Sequence, residues 1–148
     1  MNIIPLVIAL VFAGCTQSST FAHIIDEATC KQELEPLILD QNAKEIDHGI
    51  SPGNEDFFIT YQSSVGPVYT VHFPLLPVSQ WPKDKDGKLV PVPFDAVSSL
   101  HVDKNKDGLV DDIWIILQPA LECRGVIHLR WNSTVVGYVL VEGGKEHI

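Results

Sequence analysis

Basic residues are scarce in this chain. It carries 10 Lys and Arg against 19 Asp and Glu, a formal charge of −9 over 148 residues. A nucleic-acid surface needs a cationic stripe to neutralise phosphates, and ten scattered basic residues do not provide one. Acidity of this kind suits a hard cation, a cationic partner, or solubility. The ligand pairs of zinc sites are missing as well, since neither H-x-x-x-H nor C-x-x-C occurs among six His and three Cys. There is no G-x-S-x-G elbow, and no serine is marked out beside a His and an Asp. No internal repeat is present, nor any linker long enough to divide domains. The main apolar run, at the N-terminus, has about fourteen residues where a bilayer needs about twenty.

What the chain does have is a stretch, Asp103 to Leu117, reading DKNKDGLVDDIWIIL. Asp103, Asn105 and Asp107 alternate, Gly108 follows, and Leu109 and Asp111 complete a nine-residue pattern. Alternate residues of a tightly curled loop can all turn oxygens inward, and Ca²⁺ takes six to eight oxygen ligands. Glycine at the sixth position permits the sharp turn, and the carbonyl of the seventh residue is available as a ligand. An EF-hand would need Glu at the twelfth position, which is Trp114, and both flanks read as strands. The pattern resembles the D-x-D-x-D-G-x-x-D loops of FG-GAP and related calcium-binding β-repeats, with Asn105 in place of the commoner Asp and one complete copy. That resemblance implies Ca²⁺ held by Asp103, Asn105, Asp107, Asp111 and the Leu109 carbonyl. The alternative is a polar hairpin loop without an ion.

The apolar segment Met1–Gly14 ends Phe12-Ala13-Gly14-Cys15. It resembles a bacterial lipoprotein signal, which implies removal of residues 1–14, lipidation of Cys15, and a polar tether through residue 22. With Thr16 rather than Asp after the cysteine, the resemblance implies an outer-membrane address facing the periplasm. The other reading is cleavage after Thr20-Phe21-Ala22, giving a secreted or periplasmic soluble protein. With Cys15 lipidated, Cys30 and Cys123 are left as an even pair in an oxidising compartment, either bridged or buried as two thiols. A bridge is the expectation.

Residues 23–148 read as one α+β domain, an N-terminal helix packed on an antiparallel sheet of about six strands. Residues 26–40 carry a helical pattern in which Asp26 caps, Cys30, Leu34 and Leu37 share a face, and Pro36 ends, kinks or restarts the helix. Residues 41–56 read as a loop. Hairpins are expected at 57–73, at 97–117 across the ion loop, and at 126–142 about Asn132-Ser133-Thr134. Five of the ten prolines fall in residues 74–93, which exclude a central strand there, and 84–88 read as a turn. Ile113–Leu117 is apolar on both faces, so it is expected in the middle of the sheet. In 126–131, Ile127, Leu129 and Trp131 are expected to face the core and His128 and Arg130 the solvent.

Two function classes follow. One is a non-catalytic envelope lipoprotein whose calcium-stabilised domain binds a protein or other envelope partner, as inhibitors, immunity proteins and assembly factors do. An exposed Trp81 on the proline-rich segment would favour it. The other is a small calcium-dependent hydrolase of wall or surface polymers, with His101, Asp112 and His128 near the ion. Lone histidines on a sheet are more often structural than catalytic, so the first is preferred and no catalytic residue is assigned.

Overall fold

The computed structural model describes residues 26–94, 98–116, 123 and 125–148. The expected signal segment, Cys15, the tether to residue 22, and the expected strand ends at Val97 and Leu117 lie outside those residues.

Among the described residues one α-helical segment, α1, occupies residues 27–38 in three continuous pieces: α-helical Glu27–Thr29, a π turn over Cys30–Leu34, and α-helical Glu35–Ile38. The Asp26 carboxylate caps it, accepting from Thr29 N at 3.4 Å. Pro36 neither ends nor visibly breaks it. The π turn widens the ladder just before the proline, with Glu35 N donating to Cys30 O, so the absent proline amide falls where the bonding pattern resets. Cys30, Leu34 and Leu37, spaced four and three apart, are buried against the sheet. Past the helix, Asp40 accepts from Ser64 N, Ser64 Oγ and Ser63 Oγ, tying the helix end to the first long hairpin. These bonds, Ser64's foremost, lower the exposed Asp40 carboxyl to about 2.

The sheet has eight antiparallel strands, not about six. They are β1 Lys44–Ile50, β2 Asp56–Gln62, β3 Val68–Pro74, β4 Ser98–Asp103, β5 Asp112–Ile116, β6 Val126–Asn132, β7 Gly137–Glu142 and β8 Lys145–His147. Their spatial order is their sequence order, a simple meander. The two unforeseen strands are the edges. β1, in the segment expected as a loop, reads KEIDHGI and is almost wholly exposed, and β8 is three exposed residues. An edge strand needs only a neighbour's backbone ladder, so neither carries an apolar alternation. The 74–94 excursion holds a short 3₁₀ turn, Val78–Gln80, and the turn at 84–88 closes with Asp84 N donating to Lys88 O.

Register fixes the faces. Val71, Leu100, Trp114, His128 and Val141 stand in one row across β3 to β7, all buried. The helix covers this face, and the Cys30–Cys123 disulfide joins α1 to the chain just before β6, with Cα atoms 5.6 Å apart. β5 lies inside the sheet, but only Asp112, Trp114 and Ile116 are buried; Ile113 and Ile115 are partly covered. β6 is inverted relative to expectation. Val126 and His128 face the core, while Ile127 and Leu129 are partly exposed and Trp131 is 42% exposed. Residue type misleads here because His128 is made compatible with burial by partners distant in sequence.

Candidate functional site

The Asp103–Asp111 loop closes the β4–β5 hairpin, with Asp111 N donating to Val102 O at 2.8 Å. Positive φ at Lys106 (63°) and Gly108 (87°) curls the backbone around Asp103. Its Oδ1 accepts from the amides of Lys106 and Asp107, and its Oδ2 from Gly108 N. Asn105 and Asp107 join the same set: Asp107 N donates to Asn105 Oδ1 and Asn105 Nδ2 to Asp107 Oδ2. The loop thus brings Asp103, Asn105 and Asp107 together. Asp111 stands apart, its Oδ2 accepting from Lys104 N at 2.7 Å. Asp103, Asp107 and Asp111 do not place three carboxylate oxygens within 4.8 Å of one another. At least one must swing inward for the loop to hold an ion. All the available donors are oxygens, as a hard cation requires, and a Cβ on Gly108 would meet open space, so backbone conformation alone demands glycine there.

Immediately behind the loop lies a buried charge cluster. His128 is fully buried, stacked on Trp114 with centroids 3.5 Å apart and planes 9° apart. Its Nδ1 is 3.2 Å from Asp26 Oδ2 and its Nε2 2.5 Å from Asp112 Oδ1. Ionised carboxylates only accept, so both ring nitrogens must carry hydrogen for both contacts to be hydrogen bonds. Asp112 Oδ1 also accepts from Arg130 Nε at 2.9 Å. Lys104 Nζ sits 2.7 Å from Asp112 Oδ2, off the hydrogen-bonding direction, so this oxygen is held by charge rather than by a hydrogen bond. Arg130 and Lys104 both reach Glu33 on α1, at 3.1 and 3.0 Å. Burial pushes the Asp112 carboxyl up, but the His128 hydrogen bond and the charges of Lys104 and Arg130 outweigh it, leaving it at about 2. Burial also opposes ionisation of Asp26, which the Thr29, His128 and Gly143 hydrogen bonds overcome to lower it. Lys104 and Arg130 are likewise disfavoured by burial, yet Asp112 and Glu33 raise both.

Glu33, Asp112 and His128 are the one group of three His, Cys, Asp or Glu among the described residues with ligand atoms close enough for a metal. The place is already taken, because the Lys104 ammonium and Arg130 guanidinium bridge Glu33 and Asp112. His101 does not join them. It pairs in register with Ile113, so it points to the opposite face from Asp112. There it lies 4.2 Å from His72, centroid to centroid, and burial and the His72 neighbour lower it to about 4.

Exposed aromatic surface occurs at the loop end of the sheet and at Phe94, 50% exposed at the close of the proline-rich segment, but not at Trp81. Trp81 is half-buried, its indole donating to Leu76 O at 2.6 Å. Trp131 and Tyr138, opposite each other on β6 and β7, meet edge to face at 5.3 Å and are 42% and 40% exposed. With Asp107, Leu109, Val110 and Asp111 they line a cavity of about 310 Å³. Sequence reading missed this pair through a turn placed too early: the strand was expected to resume at Val135, whereas Asn132 pairs with Gly137, which sets Trp131 against Tyr138. The pairings of Asp26 with His128 and of Glu33 with Arg130 were missed because they span 102 and 97 residues.

The chain matches no family model, no curated protein and no solved structure. Among the described residues, no helix is long and apolar enough to cross a membrane.

Proposed function

We propose that this is a non-catalytic cell-envelope lipoprotein, anchored by Cys15 to the outer membrane and facing the periplasm. Its domain, stabilised by Ca²⁺ in the Asp103–Asp111 loop, binds a protein or other envelope partner in an inhibitor, immunity or assembly-type role. The observation that carries the binding reading is where the chemistry lies. The histidine and carboxylates best placed for acid–base work, His128, Asp26 and Asp112, are sealed under α1 and paired with one another. A general base must reach a substrate proton directly or through one water, and these groups are buried among one another, Arg130, Lys104 and backbone amides. What the surface offers is a concave aromatic patch beside the loop.

The loop supports the calcium reading through its curl about Asp103 and its all-oxygen donor set, Asp103, Asn105, Asp107, Asp111 and the Leu109 carbonyl. When bound, the ion would neutralise carboxylates that otherwise repel and would stiffen the entry to β5. Titration calorimetry with millimolar Ca²⁺ tests this. Binding at roughly 10⁻⁴–10⁻³ M, with a rise in melting temperature, is expected for an extracellular module. Asp107→Ala should abolish both. A wild-type protein giving neither heat nor melting shift would overturn the calcium assignment.

A further inference from the structure

We infer that the Trp131–Tyr138 cavity is the partner-docking site and that it receives a basic side chain, an arginine foremost, from a protein partner. This rests on the binding-module reading and names the chemistry of its partner. Of the six lining residues, Asp107 and Asp111 are acidic, Trp131 and Tyr138 aromatic, and Leu109 and Val110 apolar; none is basic. The molecule around them carries a formal charge of −9.

The geometry is prepared for a cation with a flat apolar body. Tyr138 is held in place, its hydroxyl donating to Val110 O at 2.9 Å, and Trp131 stands edge to face against it. A guanidinium seated there meets aromatic faces, whose ring quadrupoles attract cations. The Asp107 and Asp111 carboxylates offer charged acceptors for its N–H groups. Asp111 contributes a carboxylate with one oxygen already fixed by Lys104 N, so its position is set before a ligand arrives. Leu109, 69% exposed on the loop tip, closes one wall and covers the methylene stem of the incoming residue. At about 310 Å³ the cavity lies at the small end of ligand pockets, a size for one side chain rather than an extended polymer. Calcium draws on the same two carboxylates, so the two ligands oppose each other.

The test is an amide- and indole-resolved NMR titration of the full mature chain in chelator, using acetyl-arginine amide and its neutral isostere acetyl-citrulline amide. The expected result is saturable movement of the Trp131 indole and Leu109 amide signals with arginine, at least about tenfold weaker with citrulline. Trp131→Ala should lose the arginine response, while still giving any heat with Ca²⁺ that wild type gives. Equal responses to arginine and citrulline, or none to either, would overturn the inference; so would N-acetylglucosamine moving these signals where arginine does not, which would assign the cavity to a glycan. Calcium heat without an arginine response sinks the inference and leaves the calcium loop standing. Arginine binding without calcium heat does the reverse.

Discussion

Replacing His128 with leucine removes the centre of the buried charge cluster while nearly conserving its volume. The consequences follow from what each neighbour retains. Asp112 keeps Arg130 and Lys104. Asp26 keeps the Thr29 and Gly143 amides, but its Oδ2 loses its partner inside a site that is 2% exposed. Breaking a buried charge pair in this way costs about 3–5 kcal/mol, against a total stability of about 5–15 kcal/mol for a domain. For a domain of this size that is a fall of roughly 10–20 °C in melting temperature. The loss should be partly reversible. Adding Asp26→Asn to His128→Leu neutralises the orphaned carboxylate and keeps a capping oxygen for Thr29, so it should cost less in the double variant than in wild type. Chemical denaturation of the four proteins in the cycle measures this, with a coupling of at least about 1 kcal/mol expected. A His128→Leu cost below about 1 kcal/mol, or strict additivity, would refute the view that these ions hold one another in place.

Acid should weaken the fold in two stages, read from melting temperature against pH. His101 titrates near 6.5 when unfolded and about 4 when folded, so the unfolded chain takes protons first and stability falls between those values, by about 2–3 kcal/mol; His101→Gln should flatten that stage. Asp112, at about 2 folded against 3.8, contributes stability present above pH 3.8 and lost toward 2, about 2 kcal/mol more. Reductant should lower stability by about 2–5 kcal/mol through Cys30–Cys123, and if the loop binds Ca²⁺, chelator should add its own loss nearly independently, since the two staples sit at opposite ends of the sheet; a non-additive pair would show they are coupled. Intact mass of the exported protein should show an acylated Cys15 as first residue, and an unmodified chain starting at His23 would mean simple secretion instead.

The parts of the fold legible in the sequence were those whose stabilising neighbours are close by. Phe57–Gln62 and Val68–Phe73 show alternation across a short glycine-bearing turn, and they form β2 and β3 in register. The Cys30–Cys123 bridge was legible from counting once Cys15 was set aside for the lipid. β1 was not, because its seven residues have almost no side-chain burial to encode. His128 was assigned to the wrong face because a buried imidazole is indistinguishable in sequence from an exposed one until Asp26 and Asp112 are seen on either side of it. Of the candidate site, the loop's oxygen spacing was apparent, whereas the Trp131–Tyr138 wall depended on a hairpin register three residues away from the one the turn residues suggested.

The meander order and the helix's attachments place opposite demands on time. Each strand pairs with the strand made just before it, so the sheet can grow at its leading edge as the chain emerges. The helix is made first, and its nearby ties are few: Asp40 to Ser63 and Ser64, and Leu37 O to the Tyr69 hydroxyl. Its remaining anchors are Lys104, Cys123, His128, Arg130 and Gly143, 71 to 117 residues downstream. Until β7 is complete, the apolar stripe of Cys30, Leu34 and Leu37 has no finished surface to cover. A chain translocated from its N-terminus must therefore carry that stripe unprotected for most of its passage, and Cys30 must wait as a free thiol with only Cys15 ahead of it as an alternative partner. Acylation of Cys15 before Cys123 arrives would remove that competitor and leave one pairing to form.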